Sequence, residues 1–172
     1  MSETLEAAIP EELDRQAERL MHELCDRELT IATAESCTGG MIAAACTDLA
    51  GSSEWFERGF VTYSDEAKTE LLDVEASLIK ANGAVSEVVA RAMAFGAVRH
   101  SRARVSVAVT GIAGPTGGSK DKPVGTVWFA FMVDGRLTSE TRRFDGDRAA
   151  VRQVTVAHAF EGLLLRLAQA GH

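Results

Sequence analysis

Lysine, tyrosine and cysteine are scarce in this 172-residue sequence, and each scarcity narrows what the chain can do. The three cysteines, Cys25, Cys37 and Cys46, are odd in number and form no CxxC pair. That argues against a disulfide framework and a zinc site, and it fits a reducing cytoplasm. No apolar run approaches the roughly 20 residues a membrane span requires. The N-terminal MSETLEAAIPEELDRQ is acidic and lacks the basic and apolar blocks of a signal peptide. Basic residues number 18 against 25 acidic ones, for a formal net charge of -7. This balance argues against nucleic-acid and anionic-membrane partners. Repeats, low-complexity tracts and linkers are absent too, so the chain reads as one domain, long enough to bury a core.

What is present reads as an α/β domain with a mixed sheet. Apolar positions at helical spacing (Leu13, Ala17, Leu20, Met21, Leu24) predict an amphipathic helix over residues 10–26. LTIATA, residues 29–34, reads as a buried strand, followed by a small-residue helix in TGGMIAAACTDLA and a loop in AGSSEWFERG. GFVTY, residues 59–63, predicts a second strand, and Ser64 caps the helix that follows. A further helix is expected over 86–100, a central strand over 104–110 and a last helix over 147–168. Asp134-Gly135, flanked by VGTVWFAFMV and RLTSETRRF, is a strong hairpin signal.

Residues 33–40, TAESCTGG, pack an acid, hydroxyl and thiol side chains and two glycines into one strand-to-helix turn. Such a turn projects a side chain from the strand's carboxyl end toward free N–H groups, which suit a developing oxyanion. Gly39 and Gly40 allow close backbone approach. Ser36 or Thr38 could equally be a helix cap, and Glu35 either orients the turn or is solvated. A nucleophilic Ser36 needs a base. His22, His100 and His158 fall within or at the ends of predicted helices, and His172 is terminal, so all four read as structural. G-x-S-x-G is absent, and no lysine stands three residues after Ser36.

Lysine is the other base, and there are four: Lys68, Lys80, Lys120 and Lys122. Lys80 reads as helix surface, and the last two belong to a loop. Lys68 lies in the first turn of the helix after Tyr63, the only tyrosine. A helix start and partial burial both favour its neutral form. A surface lysine beside a packed tyrosine is the plain alternative. The glycine-rich GIAGPTGGSK lacks the Walker ending but could form an anion-binding nest. Arg148, at the start of the last helix, suits a bidentate phosphate contact, or is simply exposed. Trp55 and Phe56 read as a core plug under a loop rather than a stacking platform.

Taken together, AESCTGG, AGSSEWFERGFVTYSDEAK, GAVSE, VTGIAGPTGG, KPVGTVWFA and FDGDR resemble the C-terminal domain of the CinA family, over residues 10–168. Residues 1–9 and 169–172 are left as short tails. The resemblance implies a single three-layer α/β domain, a mixed sheet flanked by helices. It also implies amide hydrolysis of nicotinamide mononucleotide by a serine–lysine mechanism without metal or organic cofactor. The family's nucleophile matches Ser36, its base Lys68, its tyrosine Tyr63, a hydroxyl position Thr110 and an arginine Arg148. Substrate contacts are expected from Thr38, Gly39, Gly40, Thr110, Gly111, Ala113, Gly114 and Arg148. A nucleotide is the expected small-molecule partner, and a homodimer is suggested by analogy. Two rival readings are a non-catalytic nucleotide-binding regulatory module and a thiol enzyme using Cys37.

Overall fold

The computed structural model describes the backbone of residues 2–171 and the side chains of residues 11–171. Helix α1 (Ser2–Asp26) leads into strand β1 (Ile31–Glu35), helix α2 (Met41–Thr47) and strand β2 (Phe56–Val61). Helices α3 (Asp65–Leu72), α4 (Ala76–Asn82) and α5 (Glu87–Arg99) then precede strand β3 (Val105–Gly111). The chain closes with strands β4 (Thr126–Val133) and β5 (Arg136–Arg143) and helix α6 (Arg148–Ala170). The sheet order is β2-β1-β3-β4-β5. The first three strands are parallel, and β4 and β5 run antiparallel. The carboxyl ends of β1, β2 and β3 therefore gather at one end of the sheet, where α/β sheets hold ligands.

Alternation along the strands sorts the core into two layers. Ile31, Val105, Val107, Val109, Phe129 and Phe131 face one side and pack with Leu20, Leu24, Phe160 and Leu163 of α1 and α6. Ala32, Ala34, Ala108 and Ala130 face the other side, against Val89, Ala90, Met93 and Ala94 of α5. The small residues let α5 approach the sheet closely, and Ser106 Oγ donates to Ala94 O at 2.7 Å. α5 also meets α3 tightly, since a Cβ on Gly96 would stand 2.2 Å from Leu72 O.

The β4–β5 hairpin turns at Asp134 (φ 54°) and Gly135 (φ 70°), the paired positive angles of a type I′ turn. Several boundaries differ from the sequence reading. α1 begins at Ser2 rather than at residue 10, consistent with the strong helix formers that precede Pro10. β2 starts at Phe56 and stops at Val61, so Tyr63 lies in the loop beyond the strand. Its charged FERG start belongs to an edge strand half open to solvent, and this hides the alternation that signals a strand. α4 was not expected as a helix of its own, because seven residues are too few to display a helical period. Trp55 is fully buried in the core, as a plug under the loop. Among the described residues, no helix is long and apolar enough to cross a membrane.

Candidate active site

Ser36 stands directly after β1, and its N–H donates to Val109 O of β3 at 3.1 Å, so the ladder carries the turn into register. Two glycines in left-handed conformations, Gly39 (φ 59°) and Gly40 (φ 109°), then reverse the chain into α2. The reversal tucks Glu35, fully buried, beneath that helix. Its carboxyl oxygens accept from Thr38 Oγ1 (2.5 Å), Ile42 N (2.8 Å) and Ala43 N (3.1 Å). Glu35 thus caps α2 from below, and the helix's first amides are already satisfied. Arg152 of α6 reaches the turn from the other side: Nε donates to Cys37 O at 3.1 Å and Nη2 to Thr38 O at 3.3 Å.

Lys68 lies in the first turn of α3, which Ser64 caps by accepting from Ala67 N at 3.0 Å. Its side chain turns inward and is 1% exposed. Nζ donates to Thr62 O at 2.8 Å and stands 3.1 Å from Ser36 Oγ. Among the described residues every ion pair involves arginine or histidine, and none involves Lys68. Burial therefore pushes the Lys68 ammonium below the ordinary lysine range, only partly offset by Asp65 and Cys37. The same burial pushes the Cys37 thiol up to about 12, the wrong direction for a nucleophile. Cys37 packs in the core instead.

A cavity of about 260 Å³ opens over this pair, and Tyr63, Thr110, Gly111, Ala113 and Arg148 line it together with Ser36 and Lys68. Thr110 is 1% exposed and donates to Ala84 O at 2.9 Å, which fixes the loop before α5 as one wall. A Cβ on Gly111 would meet Val127 at 2.8 Å and Cys37 Sγ at 3.2 Å. Only glycine fits that wall. Arg148 Nη1 donates to Gly114 O at 2.9 Å, and Nη2 donates to the Tyr63 hydroxyl at 3.2 Å. The guanidinium thus bridges two loops across the mouth.

Four of the expected contact residues offer no side chain to this cavity. Thr38 is fully buried and gives its hydroxyl to Glu35. Gly39 spends its N–H on Ser36 O at 3.1 Å, so it shapes the turn rather than facing a substrate. Gly40 precedes α2 as its left-handed cap, and Gly114 offers its carbonyl to Arg148. Tyr63 is 63% exposed and bonds Arg148; Thr62 O, not Tyr63, steadies Lys68. Glu35 orients the turn, one of the two readings the sequence left open, whereas Arg152 was assigned no role from sequence. Arg152 is 115 residues away from Cys37 in the chain and meets only backbone carbonyls, which leave no motif. Its position one helical turn after Arg148 was the one available signal.

Among the described residues, the histidines and the other lysines do not line the cavity. His158 pairs with Glu140 and His100 with Asp73, while His172 lies outside the described residues. Lys80 is exposed, and Lys122 Nζ donates to Asn82 O at 2.7 Å. Among the described residues, no group of three or more His, Cys, Asp or Glu gathers in a way that could hold a metal ion.

Residues 13–167 match the model of the CinA C-terminal domain. The chain is 52% identical over 154 residues to nicotinamide-nucleotide amidohydrolase PncC of Escherichia coli K12, an alignment covering 88% of this chain and 93% of that protein. It is 54% identical over 148 residues to PncC of Pseudomonas putida, covering 86% and 92% respectively. Among solved structures, the competence/damage inducible protein CihA from Agrobacterium tumefaciens superposes with a TM-score of 0.87 at 44% identity, over 91% of this chain and 96% of that one. This chain belongs to the CinA C-terminal domain family.

Proposed function

We propose that the chain hydrolyses the carboxamide of nicotinamide mononucleotide to nicotinate mononucleotide and ammonia, with Ser36 as nucleophile and Lys68 as general base. The substrate assignment is supported by relatives about half identical in sequence that carry the name nicotinamide-nucleotide amidohydrolase. The mechanism is supported above all by one observation: a buried lysine without a carboxylate partner stands 3.1 Å from a serine hydroxyl. A neutral amine suits those surroundings. It has one N–H for Thr62 O and a lone pair that can accept the Ser36 proton.

The steps follow from that pair. Ser36 Oγ attacks the carboxamide carbon as its proton passes to Lys68 Nζ. The tetrahedral intermediate collapses, Lys68 returns the proton to the departing nitrogen, and ammonia leaves an ester on Ser36. Water then attacks the ester carbonyl, Lys68 again taking the proton, and the nicotinate carboxyl is released as Ser36 regains its hydrogen. Arg148, at the mouth, meets the phosphate, exchanging its contact with Tyr63 for a charge-assisted one. Tyr63 orients that arginine, and Thr110 with Gly111 and Ala113 forms the wall against which the ring lies. The test is ammonia release from the mononucleotide by purified protein, with Ser36→Ala beside it. Release by the wild type alone supports the reading; release by both, or by neither, contradicts it.

A further inference from the structure

The turn that carries Ser36 contains an arginine-held pair of carbonyls that the reaction above leaves unexplained. A trans peptide unit points its C=O and the following N–H in opposite directions. Ser36 O accepts from Gly39 N, so the Cys37 N–H of the same peptide unit points away from that bond. Cys37 O accepts from Arg152 Nε, so the Thr38 N–H points away from α6. Among the described residues neither the Cys37 nor the Thr38 N–H has an acceptor outside its own residue. The amides of α2 do not compete for this role, because Glu35 already takes Ile42 N and Ala43 N.

We infer that Arg152 is a positioning residue for catalysis: by holding Cys37 O it aims the Thr38 N–H, and by holding Thr38 O it fixes the Gly39 N–H that ties down Ser36 O and with it the Cys37 N–H, so that both free donors face the oxyanion formed when Ser36 attacks. This rests on the serine mechanism proposed above. Arg152 itself touches no substrate. Its guanidinium lies behind the turn, close enough for a Cβ on Gly39 to stand 3.6 Å from Nη2. A planar fork suits two successive carbonyls, whereas an ammonium meets them only as a point charge. Without the fork the turn is free to rotate its peptide units, and the donors lose the alignment that gives such a hole its effect.

The experiment compares wild type, Arg152→Ala and Arg152→Lys on two amides, nicotinamide mononucleotide and the riboside that lacks its phosphate. A positioning role lowers kcat by about tenfold to a hundredfold on both, because oxyanion stabilisation is realised only in the transition state. KM stays within about twofold of wild type, since ground-state binding is untouched. Millimolar guanidinium added to Arg152→Ala restores part of the lost kcat, and Arg152→Lys falls between the other two. Circular dichroism and thermal melting establish that each variant is folded. Should Arg152→Ala fail to fold, the lysine variant carries the same kcat-against-KM test. Unchanged kcat in a folded variant overturns the inference. A loss confined to the mononucleotide and expressed in KM also overturns it, by making Arg152 a phosphate ligand. A wild type inactive on both amides overturns instead the serine mechanism on which the inference rests.

Discussion

Two clusters of polar side chains, one on β5 and one at the carboxyl end of β1, are built on opposite logic. In the middle of β5, Glu140 is surrounded by His158, Arg166 and Arg142. Arg166 also lies 3.9 Å over the Phe131 ring and donates to Thr138 Oγ1 at 2.6 Å. Burial alone would raise the Glu140 carboxyl, but the hydrogen bond and charge of His158, with the two arginines, hold it below the usual range. At the other cluster, Lys68 is almost fully buried and is offered a hydroxyl and a carbonyl but no charge. The first arrangement compensates each charge and serves cohesion. The second leaves a base in its reactive form, at a cost in stability that a purely structural lysine would not carry.

The largest effect expected is on chemistry. Ser36→Ala lowers kcat by about three to six orders of magnitude, the range for removing a nucleophile from a serine hydrolase, while the melting midpoint barely moves. Cys37→Ala costs far less activity, since its thiol is core filling. Steady-state ammonia release from the two variants checks both, and the reverse ranking would break the contrast between serine and thiol.

Next comes Lys68. Lys68→Met removes activity nearly as completely as Ser36→Ala, yet raises stability, because no charge then has to be desolvated. The pH dependence of that gain has a definite sign. The folded pKa is depressed, so the unfolded chain binds the extra proton between the folded value and the ordinary one of about 10.4. Wild-type stability therefore rises with pH through that window. Denaturant titrations should show the advantage of Lys68→Met full below the folded pKa and shrinking toward pH 10. An advantage independent of pH would mean that burial does not perturb this lysine.

Arg148→Ala follows, with a tenfold to hundredfold fall in kcat/KM for the mononucleotide, equivalent to a charge-assisted bond of roughly 1.5–3 kcal/mol. The riboside should lose much less, and equal losses would remove the phosphate from Arg148. The smallest effect on activity belongs to the compensated cluster. Glu140→Gln costs about 1–3 kcal/mol of stability with kcat unaltered, since His158 and Arg166 lose their partner. That deficit is full above the ordinary glutamate pKa of about 4.3 and fades as pH falls through the lower folded value. A large drop in kcat would show that the two clusters are coupled.

How much of this was legible in sequence follows from where each signal resides. The hairpin at Asp134-Gly135 and the cap at Ser64 were readable because their causes are local: a pair of positive φ angles and one hydroxyl. The mixed sheet followed from the alternation of strand and helix patterns, whereas its small-residue face of alanines emerges only with the packed α5. Ser36 and Lys68 were candidates from residue type and position, but nothing local could establish that 32 residues of separation close to 3.1 Å. Tyr63 looked like the partner of Lys68 because the two are neighbours in the chain. The strand ends two residues earlier, however, and the ring swings outward to Arg148. Thr38 and Gly39 looked like substrate contacts because the turn is short and polar. The Thr38 hydroxyl and the Gly39 N–H are taken by Glu35 and Ser36, which only the folded turn reveals, and Thr38 keeps only its backbone N–H for the site. Arg152 escaped because it recognises backbone carbonyls, and every residue has one of those.

The most direct test of the central claim is the pH profile of kcat/KM for mononucleotide hydrolysis by wild type and by Lys68→Arg. A base that must lose its proton gives the wild type an ascending limb whose midpoint lies below the free lysine value of about 10.4. Arginine does not deprotonate in proteins, so Lys68→Arg should be nearly inactive at every pH, though it keeps the positive charge. A Lys68→Arg enzyme with near-normal rate and an unaltered profile would contradict the account, since the residue would then be serving as a fixed cation.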